Sequence, residues 1–272
     1  MVGRAQQTLE LVGSLPGVKQ WREIRFDEAF AAGRYIGACR GVYASYEEAA
    51  AAAPPTRPLG YDNEDAGEMY RDRIDRVFSS DYPMMLWLQK VFAAGARTVY
   101  DLGGHIGLAY YAYQRFVPFP QEVSWTVHDV PAVMASGRRE ALARDPSGRL
   151  KFSESTEAAS GVDLLFTAGC LQYLQPTLAD EIAKLQRKPA WVLVNLLPLH
   201  EQEAYWTVQS IGTAFCPYRI QRRATFFGEL EALGYEVVDK WENPDKSCWV
   251  AFDPGHTLDR YYGAALRLRS GG

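Results

Sequence analysis

Residues 99–107 read Val99-Tyr-Asp-Leu-Gly-Gly-His-Ile-Gly107, and no other stretch constrains the fold as tightly. An apolar run ends in Asp101, glycines follow at 103, 104 and 107, and an amphipathic segment starts at once. That is a strand, a tight turn and a helix N-terminus, a junction that lets backbone approach a ligand closely. The pattern D-x-G-G-x-x-G departs from the G-x-G-x-x-G of dinucleotide-binding loops. An acid two residues before the first glycine suits a cationic ligand without phosphate. The plain alternative is a strand–helix turn that binds nothing.

From Gly95 onward, strands alternate with helices. Strands are expected at Thr98–Leu102, Val123–His128, Leu150–Ser153, Val162–Thr167 and Trp191–Asn195. Between them, helices are expected from Leu108, over Pro131–Arg144 and over Thr177–Arg187. A less regular segment runs from Leu196 to Ile220, followed by a helix over Thr225–Leu233. Tyr235–Trp241 and Ser247–Phe252 then read as two strands joined at Asn243-Pro244-Asp245, a terminal hairpin. The fold class expected is α/β: a doubly wound, mostly parallel, seven-stranded sheet with a C-terminal antiparallel hairpin.

Residues 1–95 lack strand alternation and read as a helical cap or lid, leaving 96–272 as the ligand-binding domain. Ser45-Tyr-Glu-Glu48 is a capping box opening the alanine run to residue 53, and Pro54-Pro55 stops it. Met69, Tyr70, Ile74, Val77 and Phe78 recur at helical spacing, and a further helix is expected over 82–94 with Gly95 as its cap.

Composition narrows the function classes. The 272 residues carry a net charge of −4 without a basic stripe, which disfavours a nucleic-acid partner. No apolar run reaches membrane-spanning length and no signal region is visible, so a cytoplasmic protein without a membrane partner is expected. Four widely spaced cysteines with no C-x-x-C argue for reduced thiols, against a disulfide framework and against a metal site. The 16 tyrosines and 7 tryptophans suit either plain core or a pocket for a cation.

In a doubly wound sheet, ligands lie beyond the carboxyl ends of the strands. The residues at those ends are the candidates. Asp101 suits an ammonium, or is an acid satisfied by loop amides. Gly103, Gly104 and Gly107 allow close approach. Asp129 suits the two hydroxyls of a ribose, or caps the helix that starts at Pro131. Glu154 and Ser155 suit an adenine amino group, or form a solvated turn. Ala168 and Gly169 allow close approach, with Gln172 and Tyr173 facing the cleft. Asn195, His200, Glu201, Tyr205 and Trp206 cluster where an acceptor or a base would sit, although each alone is as readily structural. Gln172, Tyr173 and Asn195 are the catalytic candidates. Cys170 reads as a small buried filler, and Pro217-Tyr-Arg219 would set a cation near a substrate carboxylate.

The loop at 101–107 together with Asp129 resembles the class I S-adenosylmethionine-dependent methyltransferases. Gly41-Val-Tyr-Ala-Ser-Tyr-Glu-Glu-Ala49, Gly60-Tyr-Asp62, Thr167 to Leu174, Trp206-Thr-Val-Gln209, Pro217-Tyr-Arg219 and Leu233 to Trp241 are similar, in order, to one bacterial group of methyltransferase-like proteins. The resemblance spans about residues 37–253. It implies S-adenosylmethionine as cofactor. Asp101 and the glycines would lie around its methionine part, Asp129 on its ribose and residues 168–172 under its sulfonium. Asp129 stands where the group has a glutamate, and Leu196-Leu-Pro198 stands where it tends to be polar. The resemblance implies methyl transfer to a small molecule or biosynthetic intermediate. The apolar acceptor side leaves open an intramolecular cyclase that forms azetidine-2-carboxylate and methylthioadenosine, and also a non-catalytic scaffold.

Overall fold

A computed structural model describes residues 16–62 and 71–269. A seven-stranded sheet forms its centre, built from β2 (Thr98–Leu102), β3 (Ser124–His128), β4 (Leu150–Phe152), β5 (Leu164–Ala168), β6 (Trp191–Leu197), β10 (Tyr235–Asn243) and β11 (Tyr261–Leu268). The strand order is β10-β11-β6-β5-β2-β3-β4. β2 to β6 pair in parallel, and β11 runs antiparallel to both of its neighbours. The order reverses between β2 and β5, which opens a crevice above their carboxyl ends.

Side chains alternate between the two faces of this sheet. Val99, Trp125, Leu164, Phe166 and Leu193 pack with α3 (Tyr82–Ala93) and α4 (Leu108–Tyr113). Tyr100, Leu165, Val192 and Val194 pack on the other face with α6 (Leu178–Ala183) and α7 (Arg223–Ala232). Helix α5 (Pro131–Arg144) follows β3 and starts with proline in its first turn. Helix α6 opens with a capping box between Thr177 and Asp180 and stops at Ala183, earlier than its pattern predicts.

Three expectations are corrected. Residues 247–252 are not the second strand of the hairpin; β11 takes that place, inserted between β10 and β6. The 247–252 segment joins a different sheet through a bridge between Val250 and Cys39. Cys39 lies in β1 (Cys39–Tyr43), a strand within the region read as helical. β1 pairs with β8 (Tyr205–Ser210), which pairs with β9 (Phe215–Arg222), and a short β7 (Leu199–His200) flanks β9. The segment after β6 is therefore a sheet, closed by a strand from the beginning of the chain. β8 is buried along its whole length although Thr207, Gln209 and Ser210 are polar, so its sequence shows neither an apolar run nor a clean alternation.

Helix α1 (Pro16–Ala31) and α2 (Tyr46–Ala52) cover this second sheet, with Phe26, Phe30, Trp206, Val208 and Phe215 between them. Ser45 caps α2 and Glu48 accepts from the Ala44 amide. Of the helix expected around 69–78, Met69 and Tyr70 lie outside the described residues. Residues 71–75 form a short 3-10 turn. The four cysteines are free thiols, and the Cys39 and Cys248 sulfurs lie 3.5 Å apart in the core.

Candidate functional site

A cavity of about 920 Å³ lies above the carboxyl ends of β2, β3 and β5. Its floor is the glycine loop. Gly103 takes φ +73°, and a Cβ there would collide with the Cys170 side chain. Gly107 takes φ +95° as the residue before α4, and a Cβ there would meet Leu150. His105 is held at φ +56°, a region that costs a non-glycine residue about 1 kcal/mol or more. Its amide donates to Asp129 Oδ2 at 2.8 Å, while the Val130 amide donates to Oδ1 at 2.8 Å. Asp129 lines the cavity with one lone pair left on each oxygen. Burial raises its pKa, and the two amides oppose the shift.

Ala168, Gly169, Gln172 and Tyr173 line the cavity beside the loop, as expected. Gln172 is fixed by its Nε2 donating to Gly169 O at 2.9 Å. Glu154 lines the adjoining wall, half tied to Arg138 at 3.3 Å. Ser155 is spent capping the 3-10 turn at 156–159, and Thr156 lines the wall in its place.

Asp101, Gly104, Gly107 and Asn195 do not line the cavity. β-strand parity points Asp101 to the same face as Val99, below the loop, where it is 1% exposed and accepts from Trp125 Nε1 at 3.0 Å. Burial pushes its carboxyl up to about 7, against the pull of the Trp125 bond. A Cβ on Gly104 would collide with that carboxyl, so the loop sits directly on the acid. Asn195 shares the parity of Leu193 and turns away from the cavity. Its Nδ2 donates to Ser80 O at 2.7 Å, and its Oδ1 accepts from Trp241 Nε1 and Asn243 Nδ2, both at 2.9 Å. That side chain is a junction between β6, β10 and the segment before α3. Leu196 follows at φ +54°, which breaks the alternation and turns its own side chain into the cavity.

Of the roof, the sequence marked Pro217 and Tyr218 but not Gln209 or Cys216 as site residues. Gln209, Cys216, Pro217 and Tyr218 face down from β8 and β9, and Gly60, Tyr61 and Asp62 close the side. The Gly60 amide donates to Phe215 O at 2.8 Å, which seats this early segment on β9. The Asp62 carboxylate accepts from the Ala132 amide at the start of α5. Tyr173 reaches from floor to roof, donating to Gln209 Oε1 at 2.7 Å, with Tyr61 and Tyr218 rings 5.9 and 5.2 Å away. Tyr218 and Tyr261 share a hydroxyl hydrogen bond of 2.7 Å. Alternation along β8 and β9, had it been visible, would have marked Gln209 and Cys216.

His200, Glu201, Tyr205 and Trp206 do not line the cavity. Glu201 pairs with Arg223 at 2.6 Å, and the His200 and His256 rings stack at 6.3 Å. Arg219 is buried away from the cavity, donating to the Gln175 and Pro176 carbonyls at 2.8 Å each and lying over the Trp206 ring. It pins the turn before α6 and does not line the cavity.

No protein-family model matches the chain, and no curated protein matches it. Solved structures with some likeness include an O-methyltransferase family protein from Burkholderia thailandensis, with TM-score 0.49 and 18% identity over 78% of this chain. This chain spans 62% of that protein's length. A second is the 1,6-didemethyltoxoflavin-N1-methyltransferase of the same organism, solved with 1,6-didemethyltoxoflavin and S-adenosylhomocysteine. Its TM-score is 0.49, with 16% identity over 76% of this chain and 83% of that one.

Proposed function

We propose that the cavity binds S-adenosylmethionine and that the chain transfers its methyl group to a small molecule. The observation that carries this reading is Asp129. It ends β3, lines the cavity and holds the glycine loop through the His105 amide, so one carboxylate couples the loop to the place where a ribose diol would sit. The residues present fit the ligand. Gly103 lets the loop pack against Cys170 while lining the cavity, Glu154 stands beyond Asp129 on the adenine side, and Ala168–Gly169 leave room under a sulfonium. S-Adenosylmethionine supplies an electrophilic carbon next to a positively charged sulfur. Tyr61, Tyr173 and Tyr218 offer ring faces to that charge. The roof formed by β8 and β9 excludes water, and alignment between roof and floor supplies the rate.

A second reading is an intramolecular use of the same ligand. Its α-amine would form the C–N bond at the γ-carbon as the C–S bond breaks, giving azetidine-2-carboxylate, methylthioadenosine and a proton. One observation favours it: the wall made by Leu196, Gln209, Cys216, Pro217, Tyr218 and Tyr261 carries neither a carboxylate nor an imidazole to activate an external acceptor. A non-catalytic scaffold is the third outcome.

Incubation of the protein with S-adenosylmethionine alone, followed by chromatography, separates them. Unchanged ligand that binds at micromolar concentration excludes cyclisation, and methyl appearing on a small molecule when candidate acceptors are then added separates methyl transfer from a scaffold. Methylthioadenosine with a new cyclic amino acid replaces methyl transfer by cyclisation. No binding at millimolar concentration overturns both.

A further inference from the structure

Gln209 lies in β8 opposite Cys216 of β9, and both side chains line the cavity. Gln209 is 8% exposed, and its Oε1 accepts the Tyr173 hydroxyl at 2.7 Å. The Nε2 end carries two N–H groups and has no hydrogen-bond partner among the described residues. It is not one of the sealed polar atoms, such as Gln172 Oε1 and Thr207 Oγ1, that reach no open space. The open space beside Gln209 is the cavity. A donor on a buried side chain that opens onto a cavity and bonds to nothing calls for a partner inside that cavity.

The surroundings narrow what that partner is. Tyr218 and Tyr261 bond to each other through their hydroxyls, and Leu196 and Pro217 bring no polar side-chain atom. Cys216 is a free thiol and at most a weak donor. One neutral amide can satisfy a carbonyl oxygen. A carboxylate has about four lone-pair sites, and this wall would leave most of them dry at a high cost. Tyr173 ends the turn at 171–173 that follows Gly169, and Gln172 in the same turn bonds to Gly169 O. Gln209 therefore hangs above the segment that would lie under the sulfonium, on the side from which a nucleophile approaches.

We propose that Gln209 is a specificity residue whose amide donates to a neutral carbonyl oxygen, or an equivalent neutral acceptor atom, on an otherwise apolar acceptor molecule. This deepens the methyl-transfer reading and rests on it for the role of the bound molecule.

The test uses the full chain as wild type, Gln209→Glu and Gln209→Met, with thermal unfolding to verify that each variant folds. Glutamate keeps an oxygen for the Tyr173 hydroxyl and replaces the N–H groups by a second oxygen. Methionine keeps the volume and removes both. The probes are acetophenone and α-methylstyrene, which have nearly the same shape and differ by an oxygen in place of a CH2 group. Affinities are read by ligand-observed NMR titration, with and without saturating S-adenosylhomocysteine. The affinity of acetophenone relative to α-methylstyrene should fall by about tenfold or more from wild type to either folded variant. A general loss of packing affects both probes alike and leaves this ratio in place. A smaller change in the ratio, or no binding of either probe to wild type, overturns the proposal. Probe binding by a wild type that does not bind S-adenosylhomocysteine overturns the function proposed above instead, and the ratio measured on the unloaded protein still decides the role of Gln209.

Discussion

The Tyr173 hydroxyl donates to Gln209 Oε1 at 2.7 Å, so a residue in the turn that follows β5 is bonded to one on β8 in the second sheet. This bond ties floor to roof across the cavity. Tyr173→Phe leaves a buried carbonyl oxygen on Gln209 unpaired, a cost of about 1–2 kcal/mol in thermal unfolding. Because the bond also sets the height of the roof, turnover of S-adenosylmethionine should fall more than its affinity. Equal losses in both would show that Tyr173 acts through stability alone.

Asp129→Ala removes the acceptor for the His105 and Val130 amides and the proposed ribose contact together. S-Adenosylhomocysteine affinity should fall by about 1.5–3 kcal/mol in a protein that still folds, as calorimetry would read. Unaltered affinity would remove Asp129 from the site.

Asn195→Ala strands the Trp241 and Asn243 donors and the Ser80 carbonyl in the core. About 3 kcal/mol of stability should be lost in denaturant unfolding. A variant as stable as wild type but without turnover would instead restore the catalytic role its sequence position suggests.

Asp101 gives a pH dependence. Its folded-state pKa is raised from 3.8 to about 7 because burial disfavours the carboxylate. The stability it contributes is thus full below about pH 4 and declines as pH rises toward 7, by at most about 4 kcal/mol. Asp101→Asn should flatten the unfolding free energy between pH 4 and 7 and raise it at pH 8. A slope identical to wild type would refute the assignment.

Gly103→Ala places a methyl group against Cys170 in a left-handed backbone. It should cost more than about 1 kcal/mol and weaken nucleoside binding at least tenfold. The double variant Gly103→Ala, Cys170→Gly should recover part of the stability, because it removes the collision and leaves only the backbone strain.

The central sheet was readable because its signals are local. The glycine loop, the acid ending β3, Pro131 at a helix start and the buried run of β5 each announce themselves within ten residues. β11 and the second sheet were not readable for the opposite reason. β8 is buried on both faces and carries no period, β1 is five residues long, and their pairing joins Cys39 to Gln209. Residues 247–252 look like a strand and do make a bridge, to Cys39 rather than to β10. Asp101 and Asn195 do lie at strand ends, but strand parity turns both away from the cavity. Tyr173 and Gln172 needed no such correction, because they follow the strand instead of lying in it.

The pairing of β1 with β8 bears on how the cavity comes into being. A strand near residue 40 must wait until residue 210 exists before its hydrogen bonds can form, and the bridge to Val250 waits longer still. During synthesis from the N-terminus, β1 therefore emerges with no strand partner and closes a loop of most of the chain when β8 follows, while the central sheet is completed only when β11 emerges. A ligand held between floor and roof touches the glycine loop of the central sheet and Gln209 of β8, so it should speed the docking of the second sheet on the first during refolding.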